Sequence, residues 1–202
     1  MPDFANSATC GNVPALPKPA SMPARMLAFF ADIIVAILVS VIVLKIVLPL
    51  FFGAELGVFE TEARKLFEIP AQMMTWEETF ARSQELAKNA DVARVCDAGG
   101  TIFFFVSLAF FTLTEFFMRG SSLGKKIVRI RVVSQFPGSP APTFWQSLSR
   151  SIWRACMIAP TGLIISLIVI VNAHIPFFSF RSRGWHDKLS RTEVIDERDP
   201  LK

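Results

Sequence analysis

The chain has little of what the common chemistries need. Its three cysteines, Cys10, Cys96 and Cys156, stand far apart with no CxxC spacing, so neither a disulfide framework nor a zinc site is written into it. His174 and His186 are the only histidines, and neither has a second ligand at metal spacing. A phosphate-binding loop is also missing. The run "GSSLGKK" from Gly120 to Lys126 has GxxxGK spacing, puts Lys126 where a hydroxyl residue is required, and follows an apolar helix rather than a strand. No nucleophile, base and oxyanion site assemble, so no enzyme, cofactor or metal is expected.

Charge is scarce too. Only 19% of the 202 residues are charged and 52% are hydrophobic, with a mean hydropathy of +0.45. That balance is too apolar for an average soluble domain. Residues 26–52, 99–118 and 152–179 are each near or above the ~18–20 residues that cross a hydrocarbon core. They show no strand-like alternation, so helices are expected. A basic region before the first run is lacking as well: the Pro-rich stretch ahead of it holds Lys18 as its one cation before residue 22. That run is also about twice the ~7–15 residues of a signal-peptide core, and reads as a retained anchor.

Missing acids set the orientation. Residues 119–154 hold Arg119, Lys125, Lys126, Arg129, Arg131, Arg150 and Arg154 with no acid, whereas residues 53–98 hold nine acids against five bases. Lys and Arg excess marks the cytoplasmic side, so the N-terminus and the second connection are expected inside and the acidic loop outside. The basic run is suited to anionic lipid headgroups, and nucleic acid is not an expected partner of a chain immersed in bilayer. In the outer loop, Thr75 with Glu78 forms a capping-box pattern ahead of a short amphipathic helix.

"GKKIVRIRVV" alternates in the manner of a strand, and "RTEVID" from Arg191 to Asp196 is its only short partner. Their pairing bears on the third apolar run, which Pro160 and Gly162 interrupt. The favoured reading is a re-entrant hairpin, with an amphipathic arm from about Phe144 to Ala159 and a return arm from Leu163 to about Ile175; a single kinked crossing is the alternative. Arg181, Arg183, Lys188 and Arg191 favour a C-terminus inside. Trp145, Trp153 and Trp185 fit an interfacial belt.

Against this apolar background Asp32 stands out, since an acid within a span costs roughly 2.5–3.5 kcal/mol on insertion scales. Ala24, Ala28, Asp32, Ala36 and Ser40 fall on one small-residue face, which lets another helix approach closely and turns Asp32 toward protein. Arg25 lies about 10.5 Å away along the axis, long for a direct bond. Arg150, Arg154 or Lys125 is therefore the expected partner. Glu115 is expected to pair with Arg119 at i+4, or else to join Asp32, Thr112 and Thr114 in an oxygen-rich cation site. Asp32 itself reads either as half of a structural ion pair or as a protonatable group on a conduction path.

Arg25 and Asp32 in the first run, "SLGKKIVRIRVV", "PGSPAP", "SLSRSIWR" and "GWHDKLSRTEVI" together resemble the RDD family of bacterial membrane proteins, named for one Arg and two Asp. The resemblance assigns that triad to Arg25, Asp32 and Asp187, covers about residues 22–196, and implies a transport role, with ion or proton exchange as the usual proposal. Gly124, Lys125, Arg150, Arg154 and Glu115 would support the triad. Arg129 departs from the family pattern by standing where a small residue, usually Gly, is expected, and "KLSRT" replaces a commoner small-residue run.

The expected architecture is an all-α multi-pass bundle of two full spans and a re-entrant or kinked third segment, with a short cytoplasmic two-stranded β-ribbon. Residues 1–22 would be a disordered tail, 23–196 the membrane domain and 197–202 a C-terminal tail. Three or four helices are few for a complete pathway, so a homo-oligomer or a membrane partner is expected. The competing reading is a scaffold or assembly factor in which the triad is purely structural.

Overall fold

In a computed structural model of the chain, residues 18–67, 75–136, 141–159 and 184–198 are described, together with Leu167 and Val171. Two helices are long and apolar enough to cross a membrane: α1 (Met22–Phe51) and α4 (Ala90–Phe117). Between them lie α2 (Gly53–Phe67) and α3 (Trp76–Lys88). After them come α5 (Leu123–Val128), β1 (Ile130–Ser134), α6 (Phe144–Ile158), α7 (Trp185–Leu189) and β2 (Thr192–Asp196).

α1 buries one face, made of Ala28, Asp32, Ala36 and Ser40, and exposes Leu27, Phe30, Ile34, Leu38, Ile42 and Ile46. The small-residue stripe is thus the packing face, as its spacing predicts, and the large apolar residues are left for lipid. Ser40 Oγ meets Ser107 Oγ at 3.2 Å and fixes α1 against α4. Asp32 and Glu115 each lie eight residues from that contact, toward the start of α1 and the end of α4. The two acids therefore sit at one depth, about 12 Å along the axes. The first turns of α1 extend past the end of α4, where α5 and the ribbon cover them.

α6 returns along α4. Phe144 stacks edge-on against Phe116, and the Arg154 guanidinium lies 5.9 Å from the Phe111 ring centroid. Its inner face is unusually polar: Gln146, Ser147, Arg150, Ser151 and Ala155 are buried. Thr143 and Gln146 close a capping box at its start, and Gln146 Nε2 reaches Ser134 Oγ at 3.1 Å and the Ser190 carbonyl at 2.9 Å.

The ribbon pairs Ile130 with Asp196 and Ser134 with Thr192, antiparallel. β1 follows α4 and β2 follows the third apolar run, and the two strands pair at one end of α1 and α4. The stretch expected as the outgoing arm is the helix α6, within a residue of its expected bounds. The stretch expected as the return arm lies outside the described residues, apart from Leu167 and Val171.

Four details differ from the sequence reading. Residues 18–20, assigned to the tail, run beside β2: Ala20 N donates to the Val194 carbonyl at 3.0 Å and Pro19 bridges Ile195. The stretch "LGKKIV" is a helix rather than the start of a strand, because its amides are capped from outside and Arg129, in the left-handed region at φ 56°, turns the chain into β1. The outer loop holds two helices, and α2 was not foreseen. α4 begins at Ala90, where the Asn89 side chain accepts from the amides of Asp91 and Val92. The capping box of Thr75 and Glu78 forms as expected.

Candidate functional site

The charged residues proposed for the site, Arg25, Asp32, Glu115, Lys125, Arg150, Arg154 and Asp187, gather at the ribbon end. Asp32 is the first. Its carboxylate meets no cation among the described residues; Oδ2 accepts from Ser122 Oγ at 2.5 Å and Oδ1 from the Gly124 amide at 2.8 Å. Ser122 is the N-cap of α5 yet makes no side-chain cap bond of its own. Asp32 supplies the cap instead, from about ninety residues away, satisfying an orphan amide with a charge of the favourable sign. The expected pairing of Asp32 with Arg150, Arg154 or Lys125 does not form: α5 takes the carboxylate as its cap, Lys125 reaches Glu115 instead, and Arg150 and Arg154 do the same from α6.

That insertion depends on Gly124. A Cβ there would overlap the carbonyl oxygen of Ala28 and stand 3.1 Å from the Ala31 Cβ, so only glycine lets α5 lie on the small-residue face of α1. With α5 so seated, the next residue, Lys125, is buried and its Nζ donates to Glu115 Oε2.

Glu115 is fully buried and takes two more cations. Arg150 Nε donates to Oε1 at 2.9 Å, and Arg154 Nη1 lies 2.9 Å from Oε2. The expected i+4 partner, Arg119, is not among them: α4 ends at Phe117, and Arg119, at φ 51°, turns the chain off the helix axis. Nor does an oxygen-rich cation site form, since three cations fill the carboxylate and Thr114 Oγ1 bonds back to the Phe110 carbonyl at 2.7 Å.

Arg150 carries the network onward. Its Nη1 donates to Asp187 Oδ1 and, at 2.7 Å, to Thr192 Oγ1. Asp187 Oδ2 lies 3.5 Å from Arg25 Nη1. Arg25 also bonds backbone: its Nε donates to the Ala20 carbonyl at 3.1 Å and its Nη2 to the Val194 carbonyl at 3.0 Å. One run of contacts therefore leads from Asp32 through Gly124 and Lys125 to Glu115, Arg150, Asp187 and Arg25. Arg25 and Asp187 are brought together, while Asp32 touches neither.

Among the described residues, Arg25, Lys125, Arg150 and Arg154 share the carboxylates of Glu115 and Asp187, and buried Asp32 and Glu193 bring the carboxylates at this end to four. Burial pushes the Lys125 ammonium down to about 7; Arg154 adds to the fall and Glu115 opposes it. No group of three or more metal-ligating side chains occurs among the described residues.

Three contributors had no signal strong enough to find them. Ser122 sat inside a run whose interest was exhausted once phosphate binding was rejected. Thr192 and Gln146 act across the ribbon, and only the register of β1 on β2 brings them to Arg150 and Ser134. A family model described as the RDD family matches residues 19–191. No curated protein and no solved structure matches the chain.

Proposed function

The chain belongs to the RDD family, and from that premise we propose that it is a multi-pass protein of the bacterial cytoplasmic membrane that exchanges ions against protons through the buried charge network. The observation that carries this reading is the buried ionisable cluster itself: Lys125 and Arg150 with Asp32, Glu115, Asp187 and Glu193 are withdrawn from water beside two apolar helices. Ionisable groups withdrawn from water beside membrane helices mark ion and proton paths more often than they serve as braces.

The basic, acid-free run from Arg119 to Arg154 supports placing the ribbon end in the cytoplasm, with the start of α1 and the end of β2 both inside and α2 and α3 outside. Exposed Lys126 and Arg129 would meet anionic headgroups there. Two spans and an arm leave most of a pathway's wall to be supplied by a second copy or a membrane partner.

A structural scaffold is the second reading, and one observation favours it. Asp32 is fully engaged as a helix cap, and Arg25 is tied to ribbon backbone. Purified protein in proteoliposomes separates the two. The exchange reading predicts that an imposed cation gradient drives a change of internal pH and that Asp32→Asn and Arg150→Ala weaken it at least tenfold. No flux in the wild type with any alkali cation would leave the scaffold reading standing.

A further inference from the structure

We propose that the outer flank of α5 is a binding surface for an anionic phospholipid headgroup, and that the headgroup, by holding α5 on α1, regulates the charge network from the membrane surface.

α5 is divided cleanly along its length. Leu123, Lys126 and Ile127, at i, i+3 and i+4, are exposed, Leu123 at 40% and Ile127 at 73%, while Gly124 and Lys125 are buried. Two large apolar residues with a lysine between them make a poor face for bulk water and a good one for the boundary between acyl chains and headgroups. The surroundings agree. Gly124 sits against the Ala28 carbonyl, which sets α5 at the level where α1 exposes Leu27 and Phe30, so the apolar flank of α5 continues the lipid-facing surface of that span.

Charge selects the headgroup. Lys126 and Arg129 are exposed, and no ion pair engages either among the described residues. The acids at the end of β2 are occupied: Glu197 is paired with Arg131 at 3.2 Å and Asp196 with Arg198 at 2.6 Å. A phosphate group on this flank would answer both cations.

Lys125 and Lys126 are neighbours in the chain and face opposite ways. On the inner side, α5 gives the Gly124 amide to Asp32 and the Lys125 ammonium to Glu115. On the outer side it gives Lys126 to the headgroup. A helix of six residues is too short to hold itself. Its stability therefore comes from its two flanks, and a ligand on one strengthens the contacts on the other by linkage. The surface rests on the ribbon end meeting a headgroup layer; its regulatory use rests on the exchange reading as well.

Full-length protein in nanodiscs tests the surface, with phosphatidylcholine alone or with a third of it replaced by phosphatidylglycerol. Deuterium uptake by the amides from Gly124 to Arg129 is expected to slow about threefold or more in the mixed discs. Lys126→Gln combined with Arg129→Gln should abolish the difference between the discs. Equal uptake by the wild type in both discs overturns the proposal, and so does a difference that the double variant keeps. Should that variant not fold, molar salt replaces it: the slowing is expected to vanish, and its survival overturns the proposal. Inorganic phosphate added to the phosphatidylcholine discs is expected to change nothing; slowing by phosphate alone would overturn the lipid as ligand. In proteoliposomes, phosphatidylglycerol should raise ion flux roughly twofold or more in the wild type and not in the double variant. Slowed uptake with flux that ignores the lipid overturns the regulation and keeps the surface. Slowed uptake with no flux in either lipid sinks the exchange reading, and the regulation with it, and leaves the surface assigned.

Discussion

Arg150 is the residue on which most of the site depends. It is buried and holds Glu115 with one nitrogen and Asp187 with another. Arg150→Ala takes one cation from each of two buried carboxylates, leaving Glu115 to Lys125 and Arg154 and Asp187 to Arg25, and a cost of up to about 3–5 kcal/mol is expected from breaking buried pairs of this kind. Thermal unfolding in detergent measures it; a shift no larger than that of an exposed-site control would contradict the geometry. Lys125 has the opposite character. Its proton is bound less tightly in the folded chain, at about 7, than at the ordinary 10.5. The unfolded chain therefore holds the extra proton between those values, so stability rises with pH across that window. Lys125→Met should flatten the rise, which a set of unfolding curves from pH 7 to 10 would reveal. Residues of this kind are hard to read from sequence. Glu115 and Arg119 have the spacing of an ideal helical pair, yet the helix stops between them, and no local pattern announces a lysine ten residues on.

Among the elements, α5 was the least legible and the ribbon the most. The β-branched run "IVRIRVV" carries a strand signal across its whole length, and nothing local says that its first part is a helix. The reason is that α5 is stabilised from outside, by a carboxylate on α1 and by a glycine that fits the Ala28 carbonyl. Gly124→Ala should displace α5 and lower stability by at least about 1–3 kcal/mol, as overpacking does; Ala28→Leu, from the other side of the same contact, should do likewise. Folding of either variant at wild-type stability would refute the close approach. The ribbon, by contrast, needed only two short strand-like pieces and the rule that neither is stable alone. Arg129 joins the two elements at φ 56°, a left-handed conformation that disfavours side chains. Arg129→Gly should leave the fold intact and raise stability by up to about 1 kcal/mol. A loss would mean that its exposed side chain makes contacts worth more than the strain.

At the scale of the whole molecule, the stripe on α1, the two long apolar helices, the outgoing arm and the gathering of Arg25 with Asp187 were all foreseeable. They follow from helical periodicity, hydropathy and family pattern. The charge network was not, because it needs five elements placed at once. Its location at one end makes a topological prediction. In a background without Cys10, Cys96 and Cys156, Glu197→Cys should react with an impermeant maleimide in inverted vesicles and not in right-side-out ones. Labelling from the outer side would reverse the assigned orientation.

The hydrogen bond from Arg25 to the Val194 carbonyl joins groups 169 residues apart in the chain. During synthesis Arg25 is made before the ribbon and has no strand to bind for roughly 10–30 s, at the usual 5–20 residues per second. For the last third or so of that interval β1 is made but lacks its partner, and the start of α1 is open to water. A ribosome that stalls before Val194 therefore leaves an inserted protein whose defect is a free strand edge beside unmatched charge, a form that a membrane protease could distinguish from the finished chain.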